Sequence, residues 1–155
     1  MMKAYVMVGL LAMNPFLVCW AESKHSVTTQ QTLPQAEQEV FAQVAPILNV
    51  QPNQWKRAQF DWNQVEIQGR KLESKQSYPI EMAVDEQIVQ TFKKLGWQED
   101  PSQAADGVGE GFRGFAQHNR VCKLHFRQLD GINGTQAVKK IRYYVSVTCG
   151  KKPAL

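Results

Sequence analysis

Cysteine, histidine and long apolar runs are all scarce in this chain, and each scarcity removes a class of function. Its 155 residues hold three cysteines and three histidines. Three cysteines cannot complete a four-cysteine zinc site, and none is spaced as CxxC for redox exchange. Among the histidines, His25 falls in a polar stretch, His118 in a turn and His125 on a strand face. A metal would need His118 and His125 to converge with a carboxylate, which their spacing does not provide, so neither metal nor other cofactor is expected. No serine sits in a nucleophile motif, which leaves a Ser/His/Asp hydrolase without specific support. Paired acids say little more. Asp85 and Glu86 open a helix, where capping and the dipole explain them, and Glu66 and Glu81 flank apolar positions rather than forming an acid/base pair.

The one long apolar run covers residues 4–20, behind Lys3. Asn14 and Pro15 break it, and Cys19 and Ala21 put small residues where a signal peptidase cuts. This pattern predicts a cleavable signal peptide over residues 1–21. An uncleaved anchor is the rival, since the run is marginally long enough to cross a bilayer; burial in the mature fold is a third reading. Bulky Leu17 and Val18 argue against lipid attachment at Cys19. Without the leader, Cys122 and Cys149 remain. An even pair in an oxidising compartment, periplasm or extracellular space, reads as a disulfide.

Residues 22–31 are polar and read as a flexible mature start, 32–150 as a single α+β domain, and 151–155 as a tail. Thr32 and Gln35 suggest a capping box with Pro34 in the first helical turn. Ala36, Val40, Phe41 and Val44 form the apolar stripe, with Glu37 off it, and Pro46 should kink or end the helix. The stretch 49–62 is ambiguous, with Trp55, Phe60 and Trp62 as satellite core or groove lining. Val65 and Ile67 alternate with polar neighbours as a short strand, and 70–79 reads as a charged connection. A second helix runs through Ile88, Phe92 and Leu95, capped by Asp85, with Gly96 at its left-handed C-terminal position and Trp97 folding back. Residues 98–111, with Pro101, Gly107, Gly109 and Gly111, look like a loop.

Two further strands show clear period two. Cys122, Leu124 and Phe126 alternate with Lys123, His125 and Arg127; Tyr143, Val145, Val147 and Cys149 alternate with Arg142, Tyr144, Ser146 and Thr148. Placing Cys122 opposite Cys149 in antiparallel pairing fixes the register. Leu124 then faces Val147, Phe126 faces Val145, and the cationic residues share the other face. Residues 112–117 add a third strand through a turn near His118 and Asn119, although Phe112 and Phe115 have opposite parity. The expected fold is α+β: two helices packed on a small antiparallel sheet that ends in a disulfide-linked β-meander with a turn at Asp130, Gly131, Asn133 and Gly134.

Residues 109–114 formally match GxGxxG, but a strand rather than a helix follows, so no nucleotide site is expected. Asn133-Gly134-Thr135 fits a glycosylation sequon, relevant only in a host with that pathway. Charge is more informative. Residues 22–100 hold eight basic and eleven acidic residues, net −3, whereas 101–155 hold nine and three, net +6. Arg120, Lys123, His125, Arg127, Lys139, Lys140, Arg142 and Tyr144 are the candidate partner-binding residues, gathered around one hairpin. Such a face suits an acidic protein surface, an anionic envelope polymer or, through an uncleaved leader, a membrane; nucleic acid suits it least. An exported non-enzymatic binding protein, of inhibitor or immunity type, is the expectation. A small secreted hydrolase and a structural or assembly subunit of the cell envelope are the alternatives, and the bland reading is a solvated sheet face.

Overall fold

In the chain's computed structural model, residues 34–107, 109–129 and 141–152 are described. The leader, residues 22–31, Thr32, the turn with its sequon, Lys139, Lys140 and residues 153–155 lie outside them.

Helix α1 (Gln35–Ile47) starts directly after Pro34, which occupies the cap position rather than the first turn. Its carbonyl accepts from the amides of Glu37 and Gln38. Pro46 stands in the last turn, and the helix ends one residue later. Asn49 then takes φ +50°, with Asn49 N–H donating to Pro46 O and Val50 N–H to Ala45 O. That paired pattern is a left-handed stop built on asparagine. Helix α2 (Val84–Lys94) stops the same way on Gly96, φ +79°, as the sequence predicts. Trp97 N–H donates to Phe92 O, and the Trp97 ring lies edge-on to Phe92 with centroids 5.6 Å apart.

The start of α2 differs from expectation. Ala83, in the left-handed region, holds the cap position and supplies no side-chain bond, while Asp85 lies in the first turn. The Tyr143 hydroxyl accepts from Val84 N–H at 3.0 Å and donates to Asp85 Oδ1 at 3.2 Å. A strand residue therefore does the work usually left to a local serine or aspartate.

Among the described residues, seven strands form one antiparallel sheet: β1 (Lys56–Trp62), β2 (Val65–Glu73), β3 (Tyr78–Pro79), β4 (Gln98–Gly107), β5 (Glu110–Gln117), β6 (Arg120–Gln128) and β7 (Arg142–Lys151). Their order is β1-β2-β7-β6-β5-β4, with β3 also on β7. Three expectations are corrected. The stretch 49–62 ends in a full strand, paired to β2 through a two-residue turn in which Asn63 and Gln64 have φ +51° and +65°; both positive values give the turn that matches strand twist. The supposed connection at 70–79 is largely strand, since β2 runs on to Glu73. The supposed loop at 98–111 is mostly β4, whose register on β5 breaks between Asp100 and Ala105. Pro101 and Ser102 fall in that irregularity, with Ser102 N–H and Oγ both bonded to Asp100 Oδ1. An edge strand with a bulge tolerates a proline that a central strand would not.

The register of β6 on β7 matches the cysteine-based expectation: Cys122 opposes Cys149, Leu124 Val147, Phe126 Val145 and Arg127 Tyr144. The disulfide Cys122–Cys149 spans 4.1 Å between Cα atoms, as suits a close cross-strand pair. Cys122, Leu124, Val145, Val147 and Cys149 join Val40, Phe41 and Val44 of α1 and Ile88, Val89 and Phe92 of α2 in one buried cluster. The parity conflict in β5 is resolved without a bulge against β6. Phe115 stacks on Phe92 at 4.2 Å inside this cluster, whereas Phe112 lies on the other face.

Glu37 is fully buried despite its place off the apolar stripe. Arg70 Nη1 donates to its Oε2 at 3.4 Å, and Arg120 Nη1 stands 2.9 Å from Oε1, too oblique for a hydrogen bond. Burial raises the Glu37 carboxyl above its usual range, with Arg120 and then Arg70 opposing the shift.

Candidate functional site

The sheet face opposite the main cluster carries Phe60 and Trp62 from β1, Ile67, Lys71 and Glu73 from β2, Tyr144, Ser146 and Thr148 from β7, Lys123, His125 and Arg127 from β6, and Phe112 and Gly114 from β5. This face is concave. In a flat sheet β1 would lie about 14 Å from β6 and about 19 Å from β5 at ~4.8 Å per strand. Yet Lys123 Nζ donates to Asp61 O at 2.6 Å, and the Trp62 ring comes within 2.9 Å of where a Cβ on residue 114 would sit. Glycine at 114 is what lets the indole lie against β5. At the β1–β2 turn, Asn63 Oδ1 accepts from Gln103 Nε2 of β4 at 2.6 Å, so the sheet's two edge regions touch. The sheet is curled into an open half-barrel.

One part of the concave face is filled. Trp62, Ile67 and Val121 form a second buried cluster, flanked by Phe60 and Ala116. Toward the C-terminal end of β6 the concavity stays open as a groove of about 270 Å³, lined by Phe60, Lys71, Lys123, His125, Arg127 and Tyr144 among others. Glu73 also lines it and pairs with Lys71 at 3.2 Å; Glu110 at the rim of β5 meets His125 Nε2 at 2.5 Å. Lys71, Lys123 and Arg127 stand against Glu73 and Glu110 at the groove, and the Asp61 carboxylate also acts on Lys123 from the end of β1.

Lys123 is half-buried. Its ammonium lies 4.4 Å from the Phe112 ring centroid, and burial pushes it below the usual lysine range, with Asp61 opposing. No carboxylate among the described residues comes within ion-pairing distance of it. Arg127 is exposed and has no hydrogen bond or ion pair among the described residues.

Of the residues singled out by sequence, Lys123, His125, Arg127 and Tyr144 therefore share the groove. Arg120 points to the other face and to Glu37. Arg142 is held at the start of β7, where Nε donates to Ser77 Oγ at 2.8 Å and Nη2 to Ser77 O at 2.6 Å. Lys139 and Lys140 lie outside the described residues. Lys71, Glu73 and Glu110 are part of the site without having been singled out for binding, while Phe60 lines the groove, one of the two places the sequence allows it. The alternation Ile67, Gly69, Lys71, Glu73 is the signal that places two of them beside Thr148 and Ser146, once β2 is read as a full strand.

Among the described residues, no three of His, Cys, Asp and Glu converge as metal ligands. His125 opposes Ser146 across the β6–β7 ladder and contacts Glu110, which puts an imidazole between a hydroxyl and a carboxylate. Comparison with protein-family models, curated proteins and solved structures finds no match to this chain.

Proposed function

We propose that this chain is an exported, non-enzymatic binding protein that docks an acidic segment of another protein in the concave groove of its sheet, in the manner of an inhibitor or immunity protein. The observation that carries this is the convergence of Lys71, Lys123, His125 and Arg127 on one groove with Phe60 and Tyr144, while Arg127 has no anionic partner among the described residues. A cleft focuses the field of its charges and favours an anionic guest. Aromatic walls add contact area at low entropic cost. Export is supported by the leader pattern and by a disulfide set in the core. In this reading the helices back one face of a C-terminal meander, leaving the opposite face for the partner.

The test is binding of a polyglutamate chain to wild type and to the Lys71→Glu/Arg127→Glu variant at two salt concentrations. We expect affinity to fall at least about tenfold in the variant and to weaken with salt in wild type. Unchanged affinity in a folded variant would reject this groove. A small secreted hydrolase is the second reading, supported by His125 lying between Glu110 and Ser146. Labelling by a fluorophosphonate probe, abolished by Ser146→Ala, would favour it over docking.

A further inference from the structure

The groove has one closed end. Lys123 crosses from β6 to Asp61 O on β1, and behind that bridge Trp62, Ile67 and Val121 fill the concavity. From Lys123 to Arg127 along β6 is about 13 Å at ~3.3 Å per residue. A chain lying along the strands from the Arg127 end therefore advances a few residues and can go no further. What it meets is Lys123, a partly buried ammonium whose bonds go to a carbonyl and an aromatic face, with the Asp61 carboxylate acting on it only from beyond ion-pairing distance.

We infer that the groove captures the C-terminal end of an acidic polypeptide, with the terminal carboxylate on Lys123 and the preceding acidic side chains toward Arg127. This rests on the acidic-docking reading above and adds the polarity and the end-on mode. Glu73 and Glu110 are engaged elsewhere, with Lys71 and His125, and Asp61, the carboxylate that does act on Lys123, makes no ion pair with it. A threaded loop is disfavoured by the filled end. A desolvated charged hydrogen bond of this kind discriminates strongly, being about twice as strong as a neutral one.

Two peptides of equal charge test it: acetylated tetraglutamate with a free C-terminus, and acetylated pentaglutamate amide. Wild type should bind the free acid at least about tenfold more tightly, the effect of one charge-assisted bond. In Lys123→Met, which keeps the stem over Phe112, that preference should vanish. In Arg127→Gln both peptides should weaken alike. Equal binding of acid and amide by wild type would overturn end-on capture and leave groove docking standing. A preference that survives in Lys123→Met would overturn the role of Lys123. Failure of wild type to bind either peptide would remove the docking reading and this inference with it.

Discussion

Removing Arg120 should expose how Glu37 is tolerated in the core. The carboxylate has no solvent exposure, and its cationic neighbours are Arg120 at 2.9 Å and Arg70 at 3.4 Å. Arg120→Ala leaves only the longer contact. Breaking a buried pair commonly costs about 3–5 kcal/mol. The protein has an escape, however, because Glu37 can take up a proton. For a carboxyl with an ordinary value of 4.5 that uptake at pH 7 costs about 3 kcal/mol, and less for Glu37, which burial already holds above that value, so the electrostatic loss is capped below this figure. With Arg70 still present we expect about 1–2 kcal/mol at pH 7, shrinking as pH falls toward 4.

Glu37→Gln should behave oppositely. Burial already holds the native Glu37 carboxyl above its usual range. Its contribution to stability is thus present below the unfolded value and lost as pH rises through the folded one. A neutral amide of the same shape should be neutral to slightly stabilising at pH 7, and its advantage over wild type should grow from pH 4 to 7. The double variant should recover most of the Arg120→Ala loss. Guanidinium unfolding of all four proteins at stepped pH, with linear extrapolation, measures this. An Arg120→Ala loss below about 0.5 kcal/mol, or one equal at pH 4 and 7, would refute the buried-charge account.

Replacing both cysteines by alanine should cost about 3.5 kcal/mol on the chain-entropy estimate for their separation of 27 residues, read as a lower unfolding midpoint at constant slope. Gly114→Ala would drive a methyl group against Trp62 and Gln103; about 1–3 kcal/mol should be lost, with a change in tryptophan emission. Burial, then Asp85, raises the Tyr143 hydroxyl from 10.0 to about 12. The stability it confers is present below pH 10 and lost as pH climbs through about 12. Tyr143→Phe should cost about 1 kcal/mol near neutrality, by uncapping α2, and show a shallower alkaline decline in melting temperature.

The β6–β7 register was legible because two cysteines of fixed parity leave only one pairing that puts Leu124, Phe126, Val145 and Val147 together. The stop of α2 was legible from Gly96 and Trp97, whose roles are local. β4 was hidden, since its sequence has the composition of a loop and its strand form comes from pairing with β5. Glu37 was hidden for a related reason: its helix offers no local sign that arginines from β2 and β6 will converge on it. The groove fell between. Alternation placed Lys123, His125, Arg127 and Tyr144 on one face, but only curvature, set by Trp62 against Gly114, turns that face into a cavity.

A ribosome delivers β1 and β2 long before β7, yet β7 is the strand that stands between β2 and β6. The early hairpin consequently gains its in-sheet neighbour only when nearly all of the described chain has been made, although Trp62, Asn63 and Asp61 already offer contacts to β5, β4 and β6. Only the last strand made can join the two halves of the sheet into one continuous ladder.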